Sequence, residues 1–285
     1  MNDAGMVSPR QATIRAGDID LHYLEWGSGP RTLVCLHGTS MQAHGWTRLA
    51  SDLMTDHRVI ALNMRGHGRS ARPRGTYDIP TYRDDLAAFA DALRLERFHI
   101  VGSSVGTQVA TAFAARYPAR AAGLVLSDPS LAIKAPAIEY YVKLHRTRPR
   151  AFATFAEAEA FARALPQRAG FSEAMHKATA MGDFFQRPDG RWEWCYDLDA
   201  ILDTFRNLVV DQTADIRAVE CPVLILQAAT SHVLSAEDAA RLGNLFRNAR
   251  VVAVESSSHT IWGDRPELLS RLTRDFIAET SGAAS

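Results

Sequence analysis

Residues 98–111 read Phe98-His99-Ile100-Val101-Gly102-Ser103-Ser104-Val105-Gly106-Thr107-Gln108-Val109-Ala110-Thr111. An apolar run (Phe98, Ile100, Val101) enters Gly102-Ser103-Ser104-Val105-Gly106, and small residues with helical spacing follow at once. This is a G-x-S-x-G pattern in strand–turn–helix context, the setting that gives a five-residue match its weight. A turn this sharp holds its serine in a strained backbone conformation, so Gly102 and Gly106 must lack side chains that would strike the neighbouring strand and helix. Ser104 would then lift its hydroxyl above a sheet, at the positive end of the next helix. The competing readings are a glycine-rich turn without chemistry and a phosphate cradle. The second lacks the lysine and the spacing of a P-loop.

The chain has 285 residues, long for an average domain and ordinary for a single α/β domain carrying an insertion. A hydrophobic content of 47% with 22% charged residues indicates a folded protein with a large core. Thirty-two basic residues balance thirty-two acidic ones, which removes the electrostatic case for nucleic acid or an anionic membrane as partner. The first sixteen residues contain Asn2, Asp3, Pro9, Arg10 and Arg15 and no apolar h-region, so a secretory leader is not expected. No run approaches the ~18 apolar residues of a membrane-spanning helix. Cys35, Cys195 and Cys221 show no metal-type spacing, and a reducing cytoplasm is the expected location.

In chain order, Ala12–Trp26 carries a hairpin pattern: Thr13, Ile14 and Arg15, a turn at Gly17-Asp18, then the alternating Ile19, Leu21 and Tyr23. Thr32–Leu36 is a continuous apolar run, as expected of a strand buried on both faces of a mostly parallel sheet. It ends in His37-Gly38-Thr39-Ser40. A helix over Trp46–Met54, a strand over Val59–Leu62 and the loop Arg65-Gly66-His67-Gly68-Arg69-Ser70 come next, the Arg and His of that loop reading as structural. Tyr82, Leu86, Phe89 and Leu93 have helical spacing. The helix Val105–Tyr117 stops at Pro118, and Gly123–Leu126 is a strand ending in Ser127-Asp128-Pro129-Ser130. From Leu131 to Asp211 helical patterns dominate without a strand signal, too long a stretch for a loop, so an inserted helical subdomain is predicted. Alternation resumes with the strand Pro222–Gln227, a helix over Ala236–Phe246, the strand Arg250–Val254 and a last amphipathic helix over Pro266–Thr280. Alternating β and α elements imply a parallel sheet with helices on both faces.

Four phrases now stand in order: HGTS after the third strand, RGHGRS after the fourth, GSSVG after the fifth, and SSH near the C-terminus before WGDRPE. Together they resemble the α/β-hydrolase fold family over nearly the whole chain. The resemblance implies an α/β fold with a mostly parallel eight-stranded sheet. It divides the chain into a core of residues 1–130 and 212–285 and a helical cap of residues 131–211. It also implies that the main-chain N–H groups of Thr39 and Val105 form an oxyanion hole, and that His37 is the structural histidine at the base of its loop. A serine hydroxyl is a weak nucleophile at neutral pH and needs a positioned base. His259 follows the last strand, where the chain order Ser…acid…His places that base.

The acid departs from the common pattern. Where most of the family carries an Asp after the seventh strand, this chain reads Gln227-Ala228-Ala229-Thr230-Ser231-His232, with Ser231 at the aligned position. A Ser–His dyad, recruitment of Glu237 or Asp238 from the next helix, or an acid elsewhere are the alternatives. Asp128 fits the third, since it ends the sixth strand beside the nucleophile strand, where active-site groups of such sheets gather. It also fits a helix-entry role, because Asp-Pro-Ser is a capping signal. A subset of the family places its acid after the sixth strand, and the layout with LSDPS and ATSHVLSAEDAAR resembles the E-2-(acetamidomethylene)succinate hydrolase group.

The expected activity is therefore a cofactor-independent serine hydrolase, with Ser104 as nucleophile, His259 as base and Asp128 as its partner. It would cleave an ester, lactone or amide of a small to medium substrate as a monomer or homodimer, with no metal. Hydrolysis of a C–C bond on the same fold is one alternative. A non-catalytic ligand-binding relative is another. Trp46 and the aromatics Tyr140, Tyr141, Phe184, Phe185, Trp192 and Trp194 are candidates for lining the pocket. Within the basic cluster His145, Arg146, Arg148 and Arg150, Arg146 is the candidate for holding a substrate carboxylate.

Overall fold

The computed structural model of the protein describes residues 6–131 and 133–282. Arg10–Ala16 (β1) and Ile19–Trp26 (β2) form an antiparallel hairpin paired from Arg10 with Glu25 to Ala16 with Ile19. Gly17 turns it with φ +59°, a left-handed conformation that costs glycine little. Then β3 (Arg31–Leu36), α1 (Thr47–Leu53), β4 (His57–Leu62), α2 (Ile79–Ala92), β5 (Phe98–Ser103), α3 (Val105–Arg116) and β6 (Ala121–Ser127) alternate. Asp78 starts α2 by accepting the Thr81 N–H, with a proline in the first turn.

Between β6 and the next strand of the main sheet lies an insertion: α4 (Ala135–Arg146), β7 (Ala151–Phe152), α5 (Phe155–Arg163), α6 (Glu173–Asp183), β8 (Phe184–Gln186), β9 (Trp192–Trp194) and α7 (Leu198–Arg206). The expectation of a strandless insertion needs correction, since β7, β9 and β8 form a small antiparallel sheet. Of these short strands only β9 leaves a trace in the sequence, the alternation of Trp192, Trp194 and Tyr196 after Asp189-Gly190, which reads equally as a short extended piece or as packing. The strands are set instead by the turn at Gly190 (φ +84°) and by aromatic packing, with Phe184 4.5 Å and Phe152 5.8 Å from Trp194 between ring centres. The chain then completes the main sheet with α8 (Thr213–Ala218), β10 (Val223–Ala228), α9 (Ala236–Leu245), β11 (Ala249–Val254), α10 (Ile261–Asp264) and α11 (Pro266–Gly282).

The eight-stranded sheet has the order β1-β2-β4-β3-β5-β6-β10-β11. Only β1–β2 and β2–β4 are antiparallel. Successive residues of each central strand serve opposite faces. Val34, Leu36, Ile100, Leu124 and Ile225 join the cluster that packs on α2 and α3, whereas Leu33, Cys35, Val101, Val125 and Leu224 join the one that packs on α1 and α11. Burial on both sides is why these strands read as unbroken apolar runs. Cys35, Cys195 and Cys221 are buried free thiols. Among the described residues no helix is long and apolar enough to cross a membrane. The carboxyl ends of β3, β5, β6 and β10 lie side by side, and the loops that follow them converge under the insertion.

Candidate active site

Ser104 sits between β5 and α3 with φ 52° and ψ −120°, well outside the relaxed regions for a residue with a side chain. Its two glycines leave no room for substitution. A Cβ on Gly102 would lie 2.5 Å from the Gly106 carbonyl oxygen, and one on Gly106 would lie 2.4 Å from the Leu36 carbonyl oxygen. The loop after β3 also comes close, since a Cβ on Gly38 would meet the Ser104 Cβ at 3.2 Å. Thr39 and Ser40 line the cavity above Ser104. Val105, the first residue of α3, is buried behind it, and a first-turn N–H has no acceptor within its own helix.

His37 is fully buried and braces this loop. Its Nδ1–H donates to the Gly38 carbonyl (2.8 Å), Nε2 accepts the Met64 N–H (3.0 Å), and its ring centre is 4.7 Å from that of His67. Burial holds the ring well below the ordinary histidine range, so it stays neutral. The loop after β4 is braced in turn by Arg65, paired with Asp85, and by the Ser70 hydroxyl, which accepts the His22 N–H at 2.8 Å. At the outer end of the loop after β3, Ser40 (φ 60°) donates from Oγ to His145 Nε2 at 2.9 Å. His145 can accept there because its Nδ1–H is given to the Tyr141 carbonyl one turn back in α4 (2.8 Å). Burial, then the neighbouring Arg148, pushes His145 down to about 3.

Asp128 ends β6 with φ 44° and is 0% exposed. Its own N–H reaches the Leu226 carbonyl in β10 (2.8 Å). Its carboxylate takes three donors: the Ala228 N–H on Oδ1 (2.9 Å), and on Oδ2 both His259 Nδ1 (2.6 Å) and Ser231 Oγ (2.5 Å). Hydrogen bonds, with no arginine or lysine among them, therefore satisfy these buried oxygens. With Nδ1 donating to Asp128, His259 is left with Nε2 as its basic nitrogen, and its ring lines the same cavity as Ser104. The loop bearing His259 is fixed by Ser258, whose N–H and hydroxyl both reach Asp264 Oδ2 (2.7 and 2.6 Å). The other carboxylates considered lie elsewhere. Glu237 is exposed, and Asp238 is paired with Arg241.

The cavity over these groups measures about 160 Å³ and is walled by Ile133, Leu144, Leu165, Phe171, Phe205 and Trp262. Of the aromatics considered in the insertion, Tyr140 and Tyr141 line it, and the Tyr141 hydroxyl meets His232 Nε2 at 2.8 Å. Phe184 and Trp194 belong to the core that the insertion shares with the α2 and α3 face of the sheet, with Phe185 and Trp192 packed against it. Trp46 requires correction: at 1% exposure it is a core side chain of the α1 face, grouped with Leu49 and Leu53, and does not line the cavity. The short 3₁₀ turn Ala43–Trp46 ahead of α1 carries it into that core.

Arg146 also requires correction. It is exposed at the last turn of α4 and does not line the cavity, whereas Arg148, two residues on, does. Arg148 is 6% exposed. Its Nη1 donates to the Tyr196 hydroxyl at 2.8 Å, and its guanidinium lies 5.5 Å from the Trp194 ring centre. Its Nε and Nη2 are buried without a partner, and no carboxylate is paired with it among the described residues. Arg168, also on the cavity wall, shows the contrast: its Nη1 reaches Asp183 Oδ2 at 2.6 Å. A buried cation is costly until an anion joins it. Arg148 lies two residues beyond the end of α4 and is buried like His145, whereas Arg146, the last residue of the helix, is exposed.

The comparisons agree with this architecture. A 2-(acetamidomethylene)succinate hydrolase of Mesorhizobium japonicum is 28% identical over 92% of this chain and 92% of its own. A 2-hydroxy-6-oxo-2,4-heptadienoate hydrolase of Pseudomonas putida is 27% identical over 93% of this chain and 95% of its own. The crystal structure of E-2-(acetamidomethylene)succinate hydrolase superposes with a TM-score of 0.89 at 26% identity, covering 95% of this chain and 99% of that one. The α/β hydrolase fold family matches residues 31–266, from the start of β3 to the start of α11, and the chain belongs to it.

Proposed function

We propose that the protein is a serine hydrolase for a small acyl substrate that carries a carboxylate, cleaving an ester, lactone or amide bond. The observation that carries the reading is the shared cavity of Ser104 and His259, with Asp128 2.6 Å behind the histidine. His259 Nε2 takes the hydroxyl proton as Ser104 Oγ adds to the substrate carbonyl carbon. The N–H groups of Thr39 and Val105 receive the oxyanion, a contribution of roughly 3 kcal/mol for each well-placed donor. Asp128 keeps the histidine tautomer fixed and stabilises the imidazolium. The imidazolium gives its proton to the leaving oxygen or nitrogen, which departs and leaves Ser104 acylated. Water, deprotonated by His259, then adds to the acyl carbon and releases the acid, restoring the serine.

The carboxylate follows from Arg148, whose unpartnered Nε and Nη2 form one edge of a planar fork that suits a bidentate anion. The names of both relatives, a succinate and a heptadienoate hydrolase, are those of enzymes for carboxylate-bearing compounds. A fluorophosphonate probe read by intact mass tests the nucleophile: one adduct is expected on the wild type and none on Ser104→Ala. Paired anionic and neutral esters test the arginine. Arg148→Met is expected to lower kcat/KM for the anionic ester by roughly 10- to 100-fold, the loss of one charged hydrogen-bonding pair, while sparing the neutral one. An equal effect on both removes the carboxylate from the proposal. A second reading, hydrolysis of a C–C bond beside a ketone, is favoured by the heptadienoate hydrolase relative. Turnover of a vinylogous 1,5-diketone acid, with esters left intact, would select it.

A further inference from the structure

We propose that Ser231 is a positioning residue for the carboxylate of Asp128, holding it against His259 from the place where this fold more often carries the acid itself; this rests on the hydrolase reading above. The argument is a count of protons. A serine hydroxyl has one hydrogen to give and two lone pairs to receive. The Val233 and Leu234 N–H groups both donate to Ser231 Oγ, at 3.0 and 3.1 Å. With both acceptor positions used, the single hydroxyl hydrogen points to Asp128 Oδ2 at 2.5 Å, within the range of a charge-assisted bond. Ser231 therefore cannot rotate its proton elsewhere, and the loop after β10 fixes where that proton points.

The oxygen it holds is the one that accepts His259 Nδ1. The other carboxylate oxygen is pinned by the Ala228 N–H of the same strand end. Both Asp128 side-chain contacts other than the histidine thus come from β10 and its loop, and they orient a residue whose own backbone is strained at φ 44°. Removing the Ser231 donor leaves the carboxylate held only by Ala228 and His259, and leaves more of its charge on the imidazolium. Asp128 and His232 act on His259, and Tyr141 acts on Asp128 and hydrogen-bonds His232; of these groups only Asp128 takes the Ser231 hydroxyl proton.

Ser231→Ala and Ser231→Thr, each in the full chain, test this. Ser231→Ala is expected to lower kcat roughly tenfold with KM little changed, and to move the acid limb of the kcat/KM profile up by about half a unit, the sign expected when a carboxylate loses a donor. Ser231→Thr, which keeps the hydroxyl, is expected to retain the wild-type profile. The low-field proton resonance of His259 Nδ1–H is expected to shift in Ser231→Ala and not in Ser231→Thr, and it can be read without turnover. An unshifted resonance in Ser231→Ala overturns the proposal, as does a Ser231→Thr profile as altered as that of Ser231→Ala. If instead the wild type takes no fluorophosphonate while the resonance shifts as expected, the hydrolase reading fails and the role of Ser231 stands.

Discussion

The strain at Ser104 survives because the residues around it are built for it. Gly106 has the Leu36 carbonyl oxygen 2.4 Å from where a Cβ would stand, so Gly106→Ala must push β3 and α3 apart. Overpacking of this kind costs about 1–3 kcal/mol, and here it falls on the residue proposed as nucleophile. Gly106→Ala is expected to lower the melting temperature and to abolish labelling of Ser104, checked by calorimetry and intact mass. At Asp128 the expected outcome is chemical: Asp128→Asn keeps the fold and lowers kcat by about 10³–10⁴-fold, because an amide can hold the wrong histidine tautomer. Ser231 and His259 meet the same oxygen of Asp128, so Asp128→Asn combined with Ser231→Asp is expected to regain part of that loss. Asp128 could be offered from the sequence because a serine filled the ordinary acid position while an aspartate stood at the neighbouring strand end; the hydrogen bond from that serine to Asp128 could not, since it joins residues 103 apart. Arg148 was not singled out, since four basic residues in six give no phase until the end of α4 is known. Trp46 was misplaced for a similar reason: nearness in sequence to the loop after β3 says nothing of which face a 3₁₀ turn presents.

The core elements were readable because strands buried on two faces and helices with one apolar stripe leave strong periods. The insertion left weaker ones. Its short sheet is held by rings rather than by strand length, and its docking depends on polar contacts far apart in sequence. Asp183, the last residue of α6, pairs with the buried Arg168 and also takes a donor from Gln42 (3.3 Å), in the loop after β3. Gln42 reaches the Thr179 carbonyl of the same helix at 3.1 Å. Such contacts have no local sequence signature. They do have a measurable worth: Asp183→Asn leaves the Arg168 charge buried and half-satisfied, and is expected to cost about 3–5 kcal/mol. Urea unfolding followed by the tryptophans would show this as a lower midpoint or as a separate early transition of the insertion.

For the whole molecule the balanced net charge conceals a store of neutral imidazoles. Burial pushes His22, His44, His67 and His99 down to about 4, and His145 to about 3. In the unfolded chain each binds a proton near 6.5, so their contribution to stability is whole above pH 6.5 and drains away as the pH falls toward 4. Each group that stays neutral over that window costs about 1.4 kcal/mol per pH unit, so even two of them would remove much of a typical stability by pH 4.5. The urea midpoint is expected to fall steeply between pH 6.5 and 4.5, and a flat curve to pH 4 would refute the assignment. One of these imidazoles does more than resist protons. His145 belongs to the helix that covers the cavity, and it receives the hydroxyl of Ser40, next to Thr39. Widening the mouth by lifting α4 draws His145 away from Ser40 and slackens the strand of chain that carries the Thr39 N–H. One hydrogen bond between the cover and the loop beneath it thus makes the two answer to each other.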